Sequence, residues 1–309
     1  MKFDYSWNAL SKPGNSNHYF DFPTLRPLLA GAQNFDVNSA LCLAEFSRLT
    51  YHKDFIVDNN IQYGGCKFEI LDTIENKDTS TYGVLFKTDC VTTKGDEQSC
   101  LVIAFRGTYG IDNWKLNVRA YQQDFENLGV VHSGFAKAWR SIDSQLFNLL
   151  EGNCLPVFIT GHSLGAALAT LTAAKMKESL LFESCYTFGS PRIGNHSFIQ
   201  AIQNMNIYRV INNCDIVSLL PLNFAAIQYE HIGTSELMDD DGTLIEGLNE
   251  TDILLEQQNR LPELKNIYGT ALFNNINTMK ENVPRFLSDH APVNYIAALE
   301  RVVGKKTVT

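Results

Sequence analysis

The chain has 309 residues, 45% of them hydrophobic and 19% charged, with a formal net charge of −9 at pH 7. That balance describes a globular protein with a sizeable core and excludes a disordered chain. The acidic surplus argues against a nucleic-acid partner and gives no pull towards anionic membrane, so any lipid contact has to be apolar.

The chain starts MKFDYSWNALSKPGNSNHYF, where Asp4, Asn8 and Ser11 interrupt any signal-peptide core. The expectation is therefore no signal peptide and a cytoplasmic default, with signal-independent export left open. No run approaches the ~18 apolar residues of a transmembrane helix. Cysteines 42, 66, 90, 100, 154, 185 and 214 show no C-x-x-C spacing and read as reduced, mostly core thiols. Residues 1–35 lack periodicity and read as an irregular leader packed on a single domain, 36–309.

Asn38 or Ser39 is expected to cap a helix through Leu41, Ala44, Glu45 and Leu49. The alternating stretches 66–74 and 82–88 predict antiparallel strands. The continuous apolar run 100–108 predicts a strand buried on both faces. A helix is expected over 135–151, with Phe135, Ala138, Trp139, Ile142, Leu146 and Leu150 on one side. Further strands are expected at 155–160, 185–189, 207–211 and 226–233, with helices at 165–180, near 196–205 and at 291–303. The stretch from about 234 to 263 reads as a polar excursion. Strands alternating with helices imply an α/β fold, a mostly parallel sheet covered on both faces.

Within this pattern, Gly161-His162-Ser163-Leu164-Gly165 is a G-x-S-x-G between a buried strand and an apolar helix. A nucleophilic serine needs that setting: a strained turn exposes the hydroxyl, and small neighbours let strand and helix pass closely. The helix N-terminus adds N–H donors where an oxyanion would form. Serine also needs a base and an orienting acid, expected in the chain order Ser, Asp or Glu, His. Asp215 follows the strand at 207–211, and His290 lies in a loop before the last helix. His231, expected inside a strand, and His162, expected to point away from its neighbour Ser163, read as structural. The acidic residues Glu236, Asp239, Asp240, Asp241 and Asp252 read as solvated. DDDG (239–242) does not continue into a calcium loop, because positions 237 and 248 are leucine. Neither a zinc-protease motif nor a P-loop nor a dinucleotide fingerprint is present, and no metal or cofactor is expected.

FRGT (105–108), VHSGF (131–135), TGHSLGAALA (160–169), FGSPRIGN (188–195), CDIVSLLP (214–221) and DHAPVNY (289–295) appear in register. Together they resemble the fungal-type triacylglycerol lipases, the class 3 lipase family of α/β-hydrolases. The resemblance implies a serine hydrolase acting on lipid esters, acyl glycerols or phospholipids. Ser163 would be the nucleophile, Asp215 the orienting acid and His290 the base, with Thr108 and Leu164 forming the oxyanion hole. It also implies a lid after Thr108, where Ile111, Trp114, Leu116 and Val118 would give an apolar underside. Cys214 and Ser218 stand where the family commonly has Asn and Pro, which would loosen the loop of Asp215. The competing readings are a soluble short-chain esterase and a catalytically silent binding protein on the same fold. The sequence leaves the oligomeric state open.

Overall fold

A computed structural model of the chain describes residues 1–11, 19–23, 25–52, 61–107, 121–223, 227–262, 264 and 283–306. Twelve strands occur among them: β1 (Leu28–Ala30), β2 (Ile61–Tyr63), β3 (Cys66–Asn76), β4 (Thr81–Thr92), β5 (Glu97–Phe105), β6 (Gln122–Asp124), β7 (Val130–His132), β8 (Val157–His162), β9 (Phe182–Phe188), β10 (Ile207–Asn212), β11 (Thr234–Met238) and β12 (Leu244–Glu246). The described helices are α1 (Trp7–Ser11), α2 (Val37–Leu49), α3 (Ser133–Arg140), α4 (Asp143–Leu149), α5 (Leu164–Lys175), α6 (His196–Ile202), α7 (Glu250–Arg260), α8 (Arg285–Ser288) and α9 (Pro292–Lys306).

The large sheet runs β12-β11-β10-β9-β8-β5-β4-β3-β2, with β1 added along β4. β5, β8, β9, β10 and β11 are mutually parallel; β2, β3 and β4 on one side and β12 on the other are antiparallel. Successive side chains of β5 divide between two cores, as strand geometry requires. Val102 and Ala104 pack with α2 and α9, while Leu101, Ile103 and Phe105 pack with α3 to α6. Both faces are therefore covered by helices, and crossovers between parallel strands place their C-terminal ends on one edge, where ligands bind in such sheets. No described helix is long and apolar enough to cross a membrane.

Several local expectations shift. The cap of α2 is Asp36, whose carboxylate accepts from Ser39 N at 2.7 Å, two or three residues earlier than expected. The helix expected over 135–151 is two, broken at Ser141–Ile142. Residues 227–233 form no ladder and hold only isolated bridges, at Ile227 and at Glu230, the latter with Gly194. The ladder strand begins at Thr234, inside the stretch read as a polar excursion, and pairs in parallel with β10. The leader is tied to the domain at several places, two of them in its hydrogen bonding to α9 and β4. Asp4 and Asn294 of α9 exchange hydrogen bonds, and β1 pairs with β4.

Candidate active site

β8 ends at His162 and α5 begins at Leu164, so the chain reverses at Ser163 alone. Ser163 has φ 59° and ψ −124°, a conformation costly for any residue with a Cβ, and its N–H bonds Phe188 O at 2.9 Å. The flanking glycines make the turn possible. A Cβ on Gly161 would lie 2.2 Å from Gly165 O, and one on Gly165 would lie 2.2 Å from Phe105 O. Strand, turn and helix thus pass at distances that admit no larger residue. Leu164, as the first residue of α5, presents one of the helix N–H groups that have no intrahelical acceptor.

Asp215 follows β10 and is fully buried. One carboxylate oxygen accepts Val217 N at 2.8 Å. The other, Oδ2, lies 2.8 Å from His290 Nδ1 and accepts the Tyr295 hydroxyl at 2.6 Å. The residues that replace Asn and Pro around it do not leave the loop loose. Ser218 Oγ donates to Asp215 O at 2.7 Å, Gln257 Nε2 to Asn213 O at 3.0 Å, and Asp289 Oδ2 receives Cys214 N at 3.1 Å.

His290 occupies the turn between α8 and α9. Its ring lies 4.5 Å, centroid to centroid, from that of His162, which places it beside the residue preceding Ser163. Gly189 sits against the pair: its missing Cβ would be 2.7 Å from Asp215 Oδ2 and 2.8 Å from His290 Nδ1. On the other side, a Cβ on Gly107 would be 3.0 Å from Ser163 Cβ, so the chain entering Thr108 runs next to the serine. Thr108 itself, with Ile111, Trp114, Leu116 and Val118, lies outside the described residues.

The structure thus brings Ser163, Leu164, Asp215 and His290 to the C-terminal edge of the parallel strands. His231 does not join them. It precedes β11 rather than lying in a strand, and its Nε2 donates to Ser218 O at 2.6 Å. Burial, with Arg209 and Arg192 nearby, holds its imidazole well below its usual range. Tyr295 is a site residue that sequence reasoning passed over, although it stands inside DHAPVNY. Its spacing of five from His290 has no meaning until α9 turns it back onto Asp215.

Residues 102–225 match the family model described as Lipase (class 3). The chain is 33% identical over 130 residues to secreted mono- and diacylglycerol lipase 1 of Fusarium solani, covering 39% of each chain. It is 28% identical over 172 residues to a lipase of Rhizomucor miehei, covering 51% of this chain and 47% of that one. It is also 32% identical over 149 residues to the chloroplastic phospholipase A(1) DAD1 of Arabidopsis thaliana, covering 39% of this chain and 33% of the other. The alignments therefore span half or less of these relatives' length. Among solved structures, the lipase of Rhizopus microsporus var. chinensis superposes with a TM-score of 0.53 at 19% identity, over 77% of this chain and 82% of that one. The native Rhizomucor miehei lipase propeptide complex gives 0.52 at 23% identity, over 67% and 68%. These superpositions establish the α/β-hydrolase fold.

Proposed function

We propose that this chain, whose residues 102–225 match the class 3 lipase family model, hydrolyses carboxylic esters of lipids through an acyl-enzyme on Ser163. The observation that carries the reading is the buried Asp215–His290 pair, 2.8 Å apart, set beside a serine held at φ 59° where a parallel strand meets a helix.

In the proposed mechanism Asp215 holds His290 through Nδ1, leaving Nε2 to take the Ser163 proton. Ser163 Oγ attacks the ester carbonyl, and the developing oxyanion is met by the N–H of Leu164 at the positive end of α5, with Thr108 the second donor that the family resemblance implies. His290 returns the proton to the departing alcohol, then activates water to release the acyl group. The relatives named for mono- and diacylglycerol and phospholipid hydrolysis support a glycerolipid substrate. With a net charge of −9, contact with a lipid aggregate would rest on apolar surface, for which the sequence offers Ile111, Trp114, Leu116 and Val118.

A fluorophosphonate probe with peptide mapping tests the nucleophile. The reading expects one adduct, on Ser163, absent from Ser163→Ala. An adduct elsewhere, or none, removes the acyl-enzyme. Rates across ester chain lengths test the substrate class, and a sharp preference for acetyl or butyryl esters would make it a short-chain esterase.

A further inference from the structure

Tyr51, just past the end of α2, and His162, the last residue of β8, take no part in the steps above. They are nevertheless buried together beneath the site. The Tyr51 hydroxyl lies 2.7 Å from His162 Nδ1, and His162 Nε2 lies 2.7 Å from the main-chain oxygen of His290. A carbonyl oxygen only accepts, so Nε2 carries the ring proton. In a neutral ring Nδ1 then accepts, and Tyr51 must donate to it. Burial, with His290 alongside, holds the His162 imidazole well below its usual range, which keeps that ring neutral. The Tyr51 oxygen also stands against Gly107, the residue before Thr108. It fills the space that a Gly107 Cβ would need, 2.2 Å away.

Each hydrogen bond of this relay is thereby assigned a direction: Tyr51 O–H to His162, His162 N–H to His290 C=O. The ring of Tyr295 closes the cluster, 5.8 Å from His162 at 69°, while its hydroxyl bonds Asp215. His290 sits in a two-residue turn and is fixed at its ring by Asp215. Its carbonyl is the second point of attachment, and two points are needed to set where the ring faces.

We propose that Tyr51 and His162 are positioning residues: their hydrogen bonds hold the His290 main chain, and the Tyr51 hydroxyl packed on Gly107 fixes the chain beside Ser163. This rests on Ser163 and His290 acting as nucleophile and base. Positioning of this kind acts on the geometry of reaction and not on substrate affinity, and displacement by ~1 Å costs about 100-fold in rate.

The test compares Tyr51→Phe, His162→Phe and His162→Gln with wild type, using p-nitrophenyl butyrate and fluorophosphonate titration to count functional sites. The proposal expects kcat per titrated site to fall about 10-fold in Tyr51→Phe and about 100-fold in His162→Phe, with KM nearly unchanged. His162→Gln, which still offers an N–H to the His290 carbonyl, should recover most of that loss. Wild-type kcat per site in Tyr51→Phe would overturn the proposal even if His162→Phe fails to fold, since that change removes a single oxygen. So would a glutamine variant no better than the phenylalanine one. A wild-type protein not labelled at Ser163 would instead defeat the nucleophile assignment, and the positioning role with it.

Discussion

A Cβ on Gly189 would lie 2.7 Å from Asp215 Oδ2 and 2.8 Å from His290 Nδ1, at a residue with φ 58°. Gly189→Ala therefore combines a backbone penalty of ~1 kcal/mol with a direct push on the pair. The expected outcome is a folded protein with kcat lowered about 100-fold; wild-type kcat would show that the pair is not where the reaction needs it. Asp289, beside His290, carries a different signature. Burial raises its carboxyl from the ordinary 3.8 to about 7, against the opposing pull of Cys214 N–H and Arg285. The folded chain therefore keeps a proton there that the unfolded chain loses. The stability this contributes is complete below pH 3.8 and is lost as pH rises to about 7. Asp289→Asn should thus gain on wild type in unfolding free energy between pH 4.5 and pH 8. A difference independent of pH would contradict the assignment.

Within α2, Glu45 and Arg48 form a fully buried ion pair at 2.7 Å, with the guanidinium 3.8 Å from the centre of the Tyr19 ring. The pair ties the leader to the helix, since Glu45 also accepts Phe20 N. Glu45→Ala removes the carboxylate that faces a buried cation and should cost about 3–5 kcal/mol in denaturant unfolding; a loss under about 1 kcal/mol would mean the helix does not depend on the pair. The helical period of α2 was legible in its apolar residues, but a buried Glu on that period looks the same as an exposed one. The same limit hid β11. Ser235 and Glu236 made TSELM look solvent-facing, yet both are buried there against neighbouring strands. AIQYEHIG, read as a strand, forms only isolated bridges among its described residues. The break between α3 and α4 left no mark, because the apolar face continues across Ser141 and Ile142.

Across the whole molecule, the parallel order of β5, β8, β9, β10 and β11 delivers residues far apart in sequence to one edge of the sheet. The G-x-S-x-G setting was readable because strand and helix each carry their own period, and Asp215 and His290 because they follow a strand and precede a helix. Tyr295, Tyr51 and the direction of His162 were not readable, since each depends on a contact across 80 or more residues. The match of residues 102–225 to the class 3 lipase model supports the proposal of ester cleavage; the lipid is the part of it most open to direct measurement. Wild type and Ser163→Ala should be compared for fatty-acid release from long-chain mono-, di- and triacylglycerol and from phosphatidylcholine. The account predicts release from at least one of these, reduced by at least ~10³-fold in Ser163→Ala. Release from none, or equal release by both proteins, would contradict it.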